Sequence, residues 1–251
     1  MNTKFKALIF DLDGTAFPTG RESRPTERVV NAVKEAKKIV SVSIATARRI
    51  SSLREIFKIF SLESPSIIMG GTTIIDPVSE KIIWQKTLNI ETVSKIAEIA
   101  KKYPGEIIMG SSPFYDRQKD FDISECSVVY LRNPNKEIAE KITEELKFIP
   151  DIAYIFAPSW VNGWTDIHIT NIEATKRHAV EELRKILKIK KEEIIAVGDN
   201  HNDLPLFESV GFKVSMGNAE NVLKEKADFI APTVFENGLA FAIDKFILKK
   251  T

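Results

Sequence analysis

The sequence has a single cysteine, little excess of charge of either sign, and no apolar run long enough to cross a membrane. Because Cys126 stands alone, no intrachain disulfide can form, and the fold must rest on its hydrophobic core, as is usual in a reducing compartment. The 36 basic and 35 acidic side chains leave a formal net charge of +1, which argues against a dedicated nucleic-acid or membrane-surface binder. The apolar stretch at residues 7–10 is too short for a signal peptide. We therefore expect a cytoplasmic protein without nucleic-acid or membrane partners.

The composition is that of a globular protein. Hydrophobic residues make up 43% of the 251 residues and charged residues 28%, which excludes a disordered or collagen-like chain. The length exceeds that of one average domain and falls short of two large ones. It is compatible with a core domain that carries a smaller insertion.

Strand and helix patterns alternate in the first third of the chain and again after residue 171. The continuous apolar run at residues 7–10 is typical of a strand buried on both faces of a parallel sheet. Strands are also predicted at 42–46 and 66–69, and a helix is predicted where Val29, Val33 and Ala36 recur at helical spacing. This alternation predicts an α/β fold with a doubly wound parallel sheet, as in Rossmann-like domains.

The middle of the chain has a different pattern, with an expected hairpin at 73–84 followed by helices and strands that do not alternate regularly. Asn89 is expected to cap one helix and Pro134 to open the next. The simplest interpretation is a core domain formed by residues 1–84 and 168–251, with an α+β module inserted at residues 85–167.

Polar side chains follow the predicted core strands, at the edge where open parallel sheets bind ligands. They comprise four carboxylates, one hydroxyl and one ammonium: Asp11, Asp13, Thr46, Lys176, Asp199 and Asp203. Crowded carboxylates need a cation among them, and oxygen ligands favour Mg²⁺, which takes only one or two carboxylates besides water and phosphate oxygens. At least one carboxylate is then free to attack phosphorus, while Lys176 and Thr46 could hold the phosphoryl oxygens.

Four ordered motifs resemble those of the haloacid-dehalogenase superfamily of phosphatases. They are Phe10-Asp11-Leu12-Asp13-Gly14-Thr15, then Thr46, then Lys176, then Gly198-Asp199-x-x-Asn202-Asp203. The motif spacing and the position of the insertion look like the Cof-type subfamily, with its α/β cap. Members of that subfamily hydrolyse substrates such as sugar phosphates, sucrose phosphate and phosphoglycolate.

The resemblance implies a role for each matching residue. Asp11 would be the nucleophile and a metal ligand, and Asp13 the general acid/base and a metal ligand through its backbone carbonyl. Asp199 would bind Mg²⁺ directly, with Asp203 as a further ligand or a holder of its waters. Thr46, Ala47, Lys176 and Asn202 would bind the phosphoryl group.

Two positions depart from the family pattern. Ala47 stands where the family usually has glycine, and Arg177 stands where a glycine usually follows the lysine. Neither change removes a chemical group that the mechanism uses, so we expect activity to survive both.

The inserted module is expected to determine the substrate, because the core handles only the phosphoryl group. Five residues are candidates for substrate specificity: Arg48, Phe114, Tyr115, Trp160 and Trp164. The expected partner is a small phosphorylated metabolite, and the chain is expected to be a monomer or a homodimer.

Three other functions are weighed against a Mg²⁺-dependent phosphatase with an aspartyl-phosphate intermediate on Asp11. A phosphomutase would return the phosphoryl group to substrate instead of to water. A receiver-like phospho-switch would need its acceptor aspartate after the third strand, where this chain has Met69-Gly70-Gly71. A fold that only binds phosphorylated ligands is disfavoured because every expected functional side chain is present.

Overall fold

The computed structural model describes residues 3–20, 23–110, 126–159 and 161–250. Twelve β-strands lie within this part of the chain: Ala7–Phe10 (β1), Ser41–Ile44 (β2), Ser66–Ile68 (β3), Thr73–Ile75 (β4), Ile82–Gln85 (β5), Glu106–Gly110 (β6), Val128–Asn133 (β7), Ile152–Pro158 (β8), Thr165–Asn171 (β9), Ile194–Gly198 (β10), Phe212–Ser215 (β11) and Phe229–Ile230 (β12). The same residues form eight α-helices: Glu27–Ala36 (α1), Arg54–Phe60 (α2), Ile90–Ala100 (α3), Lys136–Leu146 (α4), Lys176–Leu187 (α5), Leu204–Glu208 (α6), Asn221–Lys224 (α7) and Gly238–Ile243 (α8). None of these helices combines the length and the apolar character needed to cross a membrane.

The chain divides into two compact units, one formed by residues up to Trp84 and from Lys176 onward, the other by Gln85–Thr175. The sequence places the return to the first unit at residue 168, whereas the structural division comes after Thr175. The reason is that β9 pairs with both β7 and β8, and its pairing with β8 continues to Asn171. Residues 168–175 therefore stay with the second unit.

The first unit is built on a parallel five-stranded sheet in the order β12-β11-β10-β1-β2. Every residue of β1 and β10 is buried, as their apolar sequences predict. From β1 the chain continues outward to β2, and after the second unit it returns at β10 on the other side of β1. The switch in strand order thus lies between β1 and β10, and ligands bind at such switch points.

The third strand differs from the sequence prediction in its partners. Within the described residues, a single parallel bridge, between Ala45 and Ile67, joins it to the five-stranded sheet, while its main pairing is antiparallel, with β4. Met69 and Gly70 have φ angles of 52° and 73°, which turn the chain back on itself directly after β3. The strands β3, β4 and β5 therefore form a small antiparallel extension instead of continuing the parallel sheet.

The second unit is an antiparallel sheet in the order β6-β7-β9-β8 with its own hydrophobic core. Apolar residues of α3 and α4, such as Ile96 and Leu146, belong to the same buried cluster as Leu131 and Ile167 of the sheet. The predicted cap of α3 is confirmed, because the Asn89 side chain accepts a hydrogen bond from the Thr92 amide at 2.8 Å.

The predicted start of α4 at Pro134 is wrong by two residues. The cap is Asn135, whose side chain accepts from the Ile138 amide at 3.0 Å, and the helix begins at Lys136. Strand β7 extends to Asn133, and one residue then separates strand and cap. Because Asn135 can cap and proline cannot, the hydrogen bond sets the boundary.

Candidate active site

The loop after β1 brings two aspartates to the switch point. The Asp11 amide donates to the Val197 carbonyl oxygen of β10 at 3.0 Å, and the Asp11 side chain is buried. Gly14 has a φ of +82°, and a Cβ atom there would lie 2.1 Å from Oδ2 of Asp199. Glycine is required here by both the backbone angle and the close approach of Asp199.

The loop after β10 supplies the second pair of acids. Asp203 is fully buried, and its Oδ2 accepts hydrogen bonds from the amides of Asp199 at 3.1 Å and Asn200 at 3.3 Å. A Cβ atom on Gly198 would lie 2.7 Å from Oδ2 of Asp203. The tight turn after β10 therefore fixes Asp203 against the backbone and leaves Asp199 beside the β1 loop.

Lys176, the first residue of α5, lies between the two loops. Its Nζ donates to Oδ1 of Asp11 at 3.0 Å and to Oδ1 of Asp203 at 2.6 Å, and the lysine is only 3% exposed. Burial lowers the pKa of the Lys176 ammonium, but Asp11 and Asp203 outweigh burial and leave the pKa above its usual range. The ammonium is thus held charged in the interior by two carboxylates.

The residues present fit a divalent cation. One carboxylate oxygen from each of Asp11, Asp199 and Asp203 lies within 4.8 Å of the other two. When all three acids are ionised, they outweigh the single charge of Lys176 by two negative charges, the amount that Mg²⁺ would neutralise.

The pKa values of the clustered carboxyl groups reflect this excess of negative charge. Burial raises the pKa of Asp11 to about 8, with Asp203 and Asp199 acting in the same direction and Lys176 opposing them. Burial, and then Asp203, raise the pKa of Asp199 to about 7. The positive charge of Lys176 is thus too small to offset the carboxylates. Because all the candidate ligands are oxygen atoms, the site suits Mg²⁺ better than softer metals.

Asp13 lies outside the three-oxygen cluster and pairs with Arg48 instead. Both carboxylate oxygens of Asp13 accept hydrogen bonds from the Arg48 guanidinium, at 2.6 and 2.7 Å. The sequence assigned Arg48 to substrate specificity, whereas this contact joins it to the predicted general acid/base. A separate role of the Asp13 carbonyl in metal binding stays a prediction.

The predicted phosphate-binding residues occupy different surroundings. Thr46 follows β2, is buried, and accepts a hydrogen bond from the Arg48 amide at 3.2 Å, while Ala47 is exposed. The side-chain oxygen of Asn202 is buried without a hydrogen-bond partner in the described part of the chain. Arg177 pairs with Glu181 at 3.4 Å on the surface of α5.

Two residues stabilise the loops although sequence reasoning gave neither a role in the site. The Thr15 hydroxyl donates to Oδ1 of Asp199 at 2.9 Å. The Asn218 side chain donates to the Gly14 carbonyl oxygen at 2.9 Å and accepts from the Val234 amide at 2.7 Å. Thr15 stands in the first of the four motifs, and the short turn after β1 was the signal that could have identified it.

The other specificity candidates are not brought to this cluster by any contact described. Trp164 lies in the second unit, where its amide and carbonyl groups close the turn before β9. Phe114, Tyr115 and Trp160 lie outside the described residues.

Comparison with known proteins identifies the family. The model of the haloacid dehalogenase-like hydrolase family matches residues 8–112 and 113–243. The chain therefore belongs to the haloacid dehalogenase-like hydrolases. Within this family it is of the Cof type and is a phosphatase, that is, a phosphoric monoester hydrolase.

The similar proteins match over nearly their whole length. The chain is 26% identical over 243 residues to phosphoglycolate phosphatase 1 of Saccharolobus solfataricus, with 96% of both chains covered. It is 25% identical over 257 residues to the 5-amino-6-(5-phospho-D-ribitylamino)uracil phosphatase YcsE of Bacillus subtilis, covering 97% of this chain and 96% of the other. Among solved structures, a haloacid dehalogenase-like hydrolase from Bacteroides thetaiotaomicron aligns with a TM-score of 0.80 at 20% identity, covering 96% of this chain and 99% of the other. At that identity the structural match shows the fold.

Proposed function

We propose that the chain is a Mg²⁺-dependent phosphatase that hydrolyses a small phosphorylated metabolite through an aspartyl-phosphate on Asp11. The observation that carries the proposal is the buried contact of Lys176 with Asp11 and Asp203, beside Asp199. An ammonium alone does not balance these acids. A bound divalent cation would neutralise the excess, and the cation and the Lys176 ammonium would then both face the oxygens of an incoming phosphoryl group.

Asp11 and Asp199 are the proposed direct ligands of Mg²⁺. Both oxygens of Asp203 already accept hydrogen bonds, one from Lys176 and the other from two backbone amides, so its role is to orient the site or to hold water. The ion would neutralise the carboxylates and draw charge from the phosphoryl oxygens.

Asp11 attacks phosphorus in the first half of the proposed reaction. Its oxygen bonds to phosphorus while the bond from phosphorus to the ester oxygen breaks, and Asp13 protonates the departing alkoxide. Lys176 and Thr46 hold the phosphoryl oxygens during the transfer.

Water attacks phosphorus in the second half. Asp13 takes a proton from the water, the bond between Asp11 and phosphorus breaks, and inorganic phosphate leaves. Asp13 is then protonated again and Asp11 ionised, so the cycle closes without any other reactant.

The choice of substrate is proposed to lie with the second unit, through Trp164 and the other candidates at residues 114, 115 and 160. The named relatives act on compounds as different as phosphoglycolate and a ribitylaminouracil phosphate, which supports a variable leaving-group site. The single cysteine supports a place in the cytoplasm.

The test is a phosphate-release screen over a panel of sugar phosphates, phosphoglycolate and cofactor precursors, with and without Mg²⁺. Wild type should release phosphate only with the metal, and Asp11→Asn should lose at least about 10³-fold in rate because the nucleophile is gone. Asp228→Asn, an aspartate that pairs with Lys213 away from the site, is the matched control and should be fully active.

Two results would contradict the proposal: release that does not need metal, or unchanged rates with Asp11→Asn. A phosphomutase would instead transfer the group to a second hydroxyl, would require a bisphosphate activator, and would release little inorganic phosphate. Mass spectrometry of acid-quenched enzyme should detect the phosphoryl group on Asp11.

A further inference from the structure

The Arg48 side chain has several partners, of which Asp13 is the main one. Nε lies 2.7 Å from Oδ2 of Asp13, and a terminal nitrogen lies 2.6 Å from Oδ1. That terminal nitrogen also lies 3.3 Å from the carbonyl oxygen of Gly20, and the guanidinium carbon lies 5.1 Å from the centre of the Phe17 ring. The guanidinium is itself fixed, because a backbone carbonyl and an aromatic ring hold it as well as the carboxylate.

A bidentate guanidinium fixes the plane of the carboxylate that it contacts. Its N–H groups form a rigid planar fork that matches the two oxygens. An ionised carboxylate has about four lone-pair positions, and Arg48 occupies one on each oxygen of Asp13. About one position on each oxygen is then left to receive or deliver a proton, in a direction set by Arg48.

The charge of the pair distinguishes this role from simple phosphate binding. When Asp13 is ionised, it and Arg48 neutralise each other, so the pair then adds no net charge to the group formed by Asp11, Asp199, Asp203 and Lys176. The two side chains are 17% and 30% exposed, so the contact is partly shielded from solvent. The positive charge of Arg48 is committed to a carboxylate rather than left open for an incoming phosphate.

We infer that Arg48 is a positioning residue that holds the Asp13 carboxylate in the orientation needed for proton transfer to the leaving group and from water. The inference rests on the proposed function, in which Asp13 carries both protons. Arg48 itself takes no part in bond making or breaking.

The test compares substrates that need a proton at the leaving group with one that does not. An alkyl monoester leaves as an alkoxide and needs the proton, whereas p-nitrophenyl phosphate leaves as a stable phenolate and does not. The value of kcat/KM reports the steps up to the first phosphoryl transfer. Arg48→Met should therefore lower kcat/KM about 10- to 100-fold for phosphoglycolate, or for another alkyl monoester found in the screen, and less than about threefold for p-nitrophenyl phosphate.

A second readout follows the later proton transfer. Hydrolysis of the aspartyl-phosphate needs Asp13 whichever substrate formed it; after p-nitrophenolate leaves, Asp13 gives its proton to solvent and then takes one from the attacking water. Arg48→Met should therefore release p-nitrophenolate in a burst of one equivalent per enzyme, followed by a slow steady rate. Arg48→Lys keeps the charge but loses the fork, and should recover only part of the lost activity.

Arg54→Met is the matched control. Arg54 makes the same bidentate contact with Glu80, at 2.8 and 2.9 Å, on an exposed surface of the same unit. This variant should leave both kcat/KM values unchanged.

The possible outcomes distinguish a failure of the inference about Arg48 from a failure of the proposed function. If wild type hydrolyses no monoester, the proposed function fails and the inference with it. If wild type is active and Arg48→Met loses kcat/KM equally for both substrates, without a burst, Arg48 binds the phosphoryl group or only stabilises the fold, and the inference is overturned.

Discussion

The charge balance of the site depends on one residue, Lys176. It is buried, and both of its described ion-pair partners, Asp11 and Asp203, are buried too. Removing one member of such a group leaves uncompensated charge in a medium of low polarity. A change at Lys176 should consequently affect stability and activity together.

Replacement of Lys176 by methionine should lower the free energy of unfolding of the metal-free protein at pH 7 by about 3–5 kcal/mol and abolish phosphate release. Urea denaturation with chelator present measures the first effect, and the phosphate assay measures the second. Lys185→Met, on the exposed side of α5 beside Glu182, is the control and should change neither. A fully stable Lys176→Met protein would contradict the buried ion-pair cluster.

The raised pKa values of Asp11 and Asp199 make the stability of the metal-free protein depend on pH. The pKa of Asp11 is raised from 3.8 to about 8 and that of Asp199 from 3.8 to about 7. Between about pH 4 and pH 8 the folded state therefore binds more protons than the unfolded state, and the free energy of unfolding falls as pH rises. Urea titrations at pH 5, 6, 7 and 8 in the presence of chelator measure this slope.

Asp11→Asn should flatten the slope, because it removes the group with the larger shift, and should raise stability at pH 8. Asp228→Asn should keep the wild-type slope. A wild-type stability that rises between pH 5 and 8 would rule out the destabilising carboxylate cluster.

Sequence patterns identified most charged members of the site but not their contacts. Hydrophobic periodicity could locate the strands and the helix beside which four of them stand: Asp11, Asp199, Asp203 and Lys176. Their convergence was therefore predictable from the parallel sheet. The pairing of Arg48 with Asp13 was not, since it depends on rotamers and on the path of the loop toward Gly20. The sequence signal for Arg48 was only its place two residues after Thr46.

At the level of elements, the site is built from the turns that follow β1 and β10. The two strands pair in parallel, so their carboxyl ends lie at the same edge, and the loops approach each other closely at Gly14 and Asp199. Thr15 and Asn218 fasten the first of these turns by hydrogen bonds. The proposed metal ligands are therefore positioned mainly by turn geometry.

A comparison of Gly14→Ala with Gly70→Ala should separate backbone strain from steric conflict. Both glycines have positive φ, +82° and +73°, but a Cβ atom at Gly14 meets Asp199 at 2.1 Å, while one at Gly70 meets nothing within 4 Å. Gly70→Ala should cost about 1–3 kcal/mol of stability by strain alone and leave phosphate release intact. Gly14→Ala should cost more and lose both activity and stabilisation by Mg²⁺, as followed by thermal unfolding.

Equal losses in the two variants would mean that Asp199 moves freely away from the new methyl group. Such a result would contradict the close fit of the two loops. The urea midpoint and the shift produced by Mg²⁺ are the measurements that decide.

Element prediction failed where single contacts decide the outcome. Alternation located β3, but its antiparallel pairing depends on positive φ angles at Met69 and Gly70, and Met69 gives no sequence signal for such an angle. At α4 the choice lay between proline at the first turn and asparagine at the cap, and the Asn135 side-chain hydrogen bond set the boundary.

For the whole molecule, the division into two units means that two hydrophobic cores are built separately. The second unit has its own buried cluster of residues from α3, α4 and its sheet. Proteins can open locally in units with different free energies. A cavity in one core should therefore leave the other unit protected.

Leu146→Ala tests this independence. Leu146 is fully buried in the core of the second unit, and its truncation should cost about 2–5 kcal/mol. Hydrogen exchange should show faster exchange in β6 to β9 and unchanged protection in β1 and β10. An equal loss of protection in both units would show that they unfold together.

The neighbours of β1 are far apart along the chain, and this affects the newly made protein on the ribosome. One edge of β1 pairs with β2, which follows after thirty-four residues as counted from Ala7 to Ser41. The other edge pairs with β10, at Ile194–Val197, near the other end of the chain. At a synthesis rate of about 5–20 residues per second, the second edge waits about 10–40 s for its partner. During that interval a hydrophobic strand presents open backbone groups to other growing chains. The synthesis of β10, which directly precedes the proposed metal ligand Asp199, therefore also covers the exposed edge of the nascent polypeptide.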